Sequence, residues 1–174
     1  DAELIIARSG VNGTHSAMAI VKCIDFAVSR GADVINMSLG IAAQTHDDLN
    51  NVRMLQQYYL HAATRKGVTI VSSAGNNQVN GSPFSLPAAL HNVIAVGAVD
   101  ASGTVSGFSN LRHYVDVVGP GVDIMSTFPL QLTETGGLPQ GYARKPGTSM
   151  AAPHVAGIAA LMKEVNPDLT PFEI

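Results

Sequence analysis

Three observations predict an α/β fold in three layers: a mainly parallel sheet with helices on both faces. First, Val34-Ile35-Asn36-Met37, Val68-Thr69-Ile70-Val71 and Val93-Ile94-Ala95-Val96 are short, mostly apolar and rich in β-branched residues, as strands covered on both faces should be. Second, helical stretches alternate with these runs, and parallel strands need long crossovers, almost always right-handed. Third, 46% of the 174 residues are hydrophobic and 13% charged, which excludes a disordered chain and supplies a core. Trp is absent and aromatics are 5%, so that core must be built from Ala, Val, Ile, Leu and Met.

The elements follow in chain order. Leu4-Ile5-Ile6-Ala7 is expected to be a short first strand, and residues 10–13 a turn. Ala19, Ile20, Ile24, Ala27 and Val28 recur at helical spacing from Ser16 onward. Gly31 suits the left-handed residue after that helix. Residues 47–66 read as an amphipathic helix, which Gly67 stops. Residues 41–57 resemble an insertion, a specificity loop or a lengthened start to that helix. Val115-Asp116-Val117-Val118 and Ile124-Met125 are shorter strand candidates. A small-residue helix runs from Ser149 to Lys163, with Val155, Ile158, Ala159 and Met162 on one side. Thr170-Pro171-Phe172-Glu173 reads as a capping box with Pro at the first helical position.

Charge and composition exclude several partners. A net charge of −3 is too weak to imply a preference for nucleic acid or anionic membrane. No apolar run approaches the roughly 18–20 residues that span a bilayer. Residues 1–7 carry no secretory leader pattern, which a processed protein would lack in any case. The single cysteine, Cys23, permits no internal disulfide and fits a small apolar helix residue. The histidines show no zinc-ligand spacing. No glycine-rich phosphate loop follows a strand, which excludes a nucleotide-binding domain.

In open α/β sheets, sites lie beyond the carboxyl ends of strands. Ser38-Leu39-Gly40 follows one strand and Ser73-Ala74-Gly75-Asn76-Asn77 the next. Lys145-Pro146-Gly147-Thr148-Ser149 runs into the last helix. Ser149 therefore stands near a helix N-terminus, where amide donors and the positive dipole end converge. It can be a cap, or a nucleophile whose oxyanion those amides hold. Asn76 can be a turn residue, or an amide donor aimed at the same oxyanion.

Gly147-Thr148-Ser149-Met150-Ala151-Ala152-Pro153-His154-Val155-Ala156-Gly157 resembles the nucleophile motif of the subtilisin-like serine peptidases. Residues 34–40, 71–77 and 86–98 resemble three further segments of that family, in the same order. The resemblance implies that Ser149 is the nucleophile and that Asn76, with the Ser149 amide, holds the oxyanion. It implies that Ser38, Leu39 and Gly40 pair with a polypeptide substrate as an added strand. Ala74 and Gly75 would line the primary pocket and Ser85 its floor, small residues that leave room for a large side chain. The Leu86-Pro87 bond is expected to be cis. No cofactor is implied as required. Calcium sites are common in the family, but no acidic cluster here is diagnostic of one.

A serine hydroxyl needs a base, and the base an orienting acid. In this family the order is Asp, His, Ser. His154 lies five residues after Ser149, roughly 140° around the helix at about 100° per residue, and is expected to pack beneath it. Gly13-Thr14-His15 resembles the family's histidine motif. It nevertheless follows the strand it should precede and stands only 21 residues before Asn36. His15 is therefore expected at a rim or helix start. Asp1 and Asp33 do not match the catalytic aspartate.

Residues 1–174 are thus expected to be the C-terminal portion of a subtilisin-like peptidase domain, incomplete at both ends and inactive alone. The catalytic Asp and His, and the missing N-terminal part of the domain, are expected upstream. Uncovered strands would promote self-association. The resemblance implies a secreted or cell-envelope setting. The alternative is a non-catalytic protein-binding module on the same fold, which would need neither Ser149 nor Asn76.

Overall fold

The computed structural model describes residues 2–11, 14–43, 57, 60, 61, 63–131 and 137–174. Strands β1 (Gly10–Val11) and β2 (Thr14–His15) form a small hairpin before helix α1 (Ala17–Ser29). Ser16 caps α1, its Oγ accepting the Ala19 amide at 3.1 Å, so the helix starts where its apolar period starts. Gly31 follows with φ 78°.

Four parallel strands make the main sheet in the order β3 (Val34–Met37), β5 (Thr69–Ser73), β7 (Ile94–Val99) and β8 (Val117–Pro120). Two antiparallel pairs flank it. β4 (Ile41–Ala43) pairs with β6 (Phe84–Leu86), and β9 (Ile124–Thr127) with β10 (Tyr142–Lys145). Helix α2 (Thr148–Val165) closes the chain's regular structure.

Both faces of the sheet are covered. Ile70 packs with Ile20 and Ile24 of α1 and with Leu60, while its neighbour Val71 packs with Ala151 and Ala152 of α2. Successive residues of a strand point to opposite faces, so β5 feeds both clusters, and all five of its residues are buried. That burial explains the continuous apolar run noted above.

Several elements depart from expectation. Leu4–Ala7 forms no strand. No described strand pairs with it, and Leu4 and Ile6 are 82% and 81% exposed. A strand needs a partner for its backbone groups, so apolar composition alone does not make one. β9 forms where Ile124-Met125 was a strand candidate, whereas β4, β6 and β10 were not anticipated, because segments of three or four residues carry too little periodicity. Of the helix expected at 47–66, residues 57, 60, 61 and 63–65 are helical and the rest lie outside the described residues, as do His46 and most of 41–57. Cys23 is a free, half-buried thiol on α1.

Candidate active site

The first turn of α2 meets the ends of β3 and β5. Gly147 is the helix N-cap at φ 149° and ψ 156°, backbone territory that only glycine tolerates. It caps with no side chain. Ser149, the second helical residue, does not cap either. Its Oγ donates to the Ser38 carbonyl at 3.3 Å. The helix therefore begins without using the serine hydroxyl.

A proline ties the two segments together. Pro153 stands four residues after Ser149 and has no N–H, so the Ser149 carbonyl lacks its usual helical donor. Ser38 Oγ supplies one at 2.7 Å, and itself accepts from Asn36 Nδ2 at 3.0 Å. The loop after β3 and the start of α2 are thus joined by reciprocal bonds. Ser72 and Ser73 reach across from β5, donating to the Met37 and Leu39 carbonyls at 3.2 and 3.4 Å.

Asn76 is oriented from its oxygen. Its Oδ1 accepts from the Thr148 amide and from Thr148 Oγ1, both at 2.9 Å. The side-chain NH₂ is left facing the helix start. A β-carbon built on Gly147 would lie 3.5 Å from Asn76 Nδ2 and 3.7 Å from the Ser149 nitrogen. Two amide donors therefore flank one small space beside the serine. Neither has a hydrogen-bond acceptor among the described residues.

Gly40, Gly75 and Ser85 also converge. A β-carbon on Gly40 would lie 2.5 Å from Ser85 Oγ, and one on Gly75 3.2 Å from Ser85 Cβ. Ser85 is buried between them, opposite Ala42 in the β4–β6 ladder. Ala74 is buried beside Gly75, whose φ is 104°. The Leu86-Pro87 bond is cis, as the resemblance implied.

Four of the described histidines have partners elsewhere. His15 Nδ1 pairs with Ser9 Oγ at 2.9 Å, and His61 Nδ1 with Asn92 Nδ2 at 3.1 Å. His113 packs edge-on to Phe84 and Tyr114. His154 does not pack beneath its helix. It is exposed, and its Nδ1 donates to the Met150 carbonyl at 2.8 Å, since four-residue spacing lets the ring reach back along the helix surface. Among the described residues no histidine is hydrogen-bonded to Ser149.

Sequence reasoning missed Thr148, Asn110 and Tyr114. Each is a polar residue beside a loop or motif, and only its non-local partners distinguish it. Among the described residues, no group of three or more His, Cys, Asp or Glu side chains is gathered to hold a metal. No described helix is long and apolar enough to cross a membrane.

The sequence profile of the Subtilase family matches residues 1–174. The chain is 44% identical over 151 residues to the thermophilic serine proteinase of Bacillus sp. (strain AK1), covering 87% of this chain and 33% of that protein. It is 37% identical over 171 residues to subtilisin DY of Bacillus licheniformis, covering 97% of this chain and 56% of the relative. A solved lanthipeptide protease superposes with a TM-score of 0.82 at 26% identity, over 92% of this chain and 56% of that one. Fervidolysin from Fervidobacterium pennivorans, a keratinolytic enzyme related to subtilisin, superposes at 0.76 with 32% identity, over 89% of this chain and 24% of that one. The chain spans between 33% and 56% of the length of the two curated relatives. The layered parallel sheet and a profile match along the whole chain agree: this chain belongs to the subtilase family of serine peptidases.

Proposed function

We propose that Ser149 is the nucleophile of a serine endopeptidase that cleaves polypeptides through an acyl-enzyme, and that this chain is the C-terminal portion of its catalytic domain. The observation that carries the reading is the pair of donors beside Ser149. Asn76 Nδ2 and the Ser149 amide flank one space, and Thr148 binds the Asn76 oxygen so that the NH₂ must face it. A tetrahedral intermediate places its oxyanion against such donors. A binding module has no need of them.

Ser38, Leu39 and Gly40 offer backbone groups to an extended substrate. Ala74, Gly75 and Ser85 form the wall and floor of the primary pocket. Ser85 fits closely against both glycines, so the floor is set by a hydroxyl rather than by empty space. The histidine base and its aspartate are expected upstream of these residues. The enzyme requires no cofactor, and by analogy with its relatives it acts as a secreted or cell-envelope protein.

The test is labelling with a serine-directed fluorophosphonate, applied to this chain and to the full-length protein. Ser149 should be modified in the full-length protein and inert in residues 1–174, because the base is absent from the shorter chain. A full-length protein that resists labelling, with no upstream Asp and His, favours the binding module instead.

A further inference from the structure

We infer that Asn110 is a positioning residue for the oxyanion donor: it holds the backbone on both sides of Asn76 and ties that segment to the pocket floor. The inference rests on the reading of Asn76 proposed above. Asn110 sits in the loop after β7 and is fully buried, at 0% exposure. A buried amide needs its partners, and this one divides them between residues 74–77, Pro83 and Tyr114. Its Oδ1 accepts from the Asn77 amide at 2.8 Å. Its backbone N–H donates to the Gly75 carbonyl at 2.9 Å. Its Nδ2 lies 3.0 Å from the Ala74 carbonyl and 3.1 Å from the Pro83 carbonyl, two residues before Ser85. The residues flanking Asn76 are thus bound to Asn110, Asn77 through its side chain and Gly75 through its backbone N–H, while Thr148 holds Asn76 itself and also accepts the Gly75 amide at 3.2 Å.

Tyr114 completes the arrangement. Its hydroxyl accepts from Asn110 Nδ2 at 3.1 Å and donates to the Ala74 carbonyl at 2.8 Å. Gly75 permits the approach, since a β-carbon there would lie 2.6 Å from Asn110 Nδ2. The two anchors have separable jobs. Thr148 sets which way the Asn76 amide faces. Asn110 sets where its backbone stands relative to the helix start. Hydrogen bonds to a developing oxyanion depend steeply on donor position, so a displaced backbone costs catalysis while leaving substrate pairing along Ser38–Gly40 intact.

The test uses the full-length protein, with active sites counted by fluorophosphonate titration. Asn110→Ala and the milder Tyr114→Phe are each made in the native background and in Asn76→Ala. In subtilisin, removing the oxyanion-hole asparagine itself lowers kcat about 10²–10³-fold. A residue acting through that donor should produce part of the same loss: roughly 10-fold in kcat for Asn110→Ala and a smaller loss for Tyr114→Phe, with KM little changed. In the Asn76→Ala background both substitutions should change kcat less than about 2-fold, because the donor they position is gone. Equal losses in both backgrounds, or a loss confined to KM, overturn the inference. Tyr114→Phe removes one hydroxyl and decides the matter if Asn110→Ala does not fold. A native full-length protein that neither labels nor cleaves peptides overturns the catalytic reading, and the inference with it, before any variant is compared.

Discussion

At the scale of single residues, the site is organised by missing donors as much as by present ones. Pro153 leaves the Ser149 carbonyl without its helical partner, and Ser38 Oγ takes that role. Removing this hydroxyl leaves a polar group without its bond, which costs about 1–3 kcal/mol where the group is shielded from water. Ser38→Ala is therefore expected to lower stability by about 1 kcal/mol, toward the low end because the site is partly solvated. Denaturant titration measures the change, and a variant as stable as the parent contradicts the account of Pro153. Asp100 shows a separate local effect. Its carboxylate accepts from Ser102 Oγ and from the Thr104 and Ser102 amides, which holds its pKa below the usual range. A lowered folded pKa stabilises the turn above the unfolded value, and that contribution is lost as pH falls through the folded one. The Ser102 and Thr104 amide resonances should hold steady above about pH 4 and move together as pH falls further. A transition centred at or above the ordinary aspartate value of about 3.9 contradicts this.

At the scale of elements, position in the layers decides how well each was readable. Strands β3, β5 and β7 and helix α2 were foreseen because burial on two faces, or on one helical stripe, imposes a pattern on local sequence. The same logic failed for Leu4–Ala7, where apolar composition is present but no described strand pairs with the segment. It also failed for β4 and β6, whose meeting opposite Ser85 is a property of two segments more than forty residues apart. The capping box at 170–173 was readable because it is local: Glu173 Oε2 accepts from the Thr170 amide and Oγ1, each at 2.8 Å. Lys163 Nζ binds the Pro167 and Leu169 carbonyls at 3.0 and 2.8 Å, fastening the residues after α2 to its last turn.

At the scale of the whole molecule, the described surface exposes apolar groups along one helix stripe and one sheet edge. Ile158, Leu161 and Val165 fall at three- and four-residue spacing on one stripe of α2, and Val165 is 87% exposed. β8 at one sheet edge exposes Val117 and Val118, and β3 is the other edge. Exposed edges and stripes pair with whatever matches them. Residues 1–174 alone are expected to self-associate in a concentration-dependent way. Multi-angle light scattering checks this, and a monodisperse monomer across a wide concentration range contradicts it.

The sequence by itself determined the layered α/β class, the strands and helices of the core, and the place of Ser149, Asn76 and Ser38–Gly40 beside strand ends and the helix start. Those features are local: they follow from periodicity, caps, glycines and motif order over short windows. Only the tertiary structure decided which groups hold them. Thr148 orients Asn76, Ser38 replaces the donor that Pro153 lacks, and Asn110 binds the residues on both sides of Asn76 through contacts more than thirty residues away. A hydrogen bond between distant residues leaves no periodic trace in the chain, so the partners of a buried polar side chain become visible only when the fold brings them together.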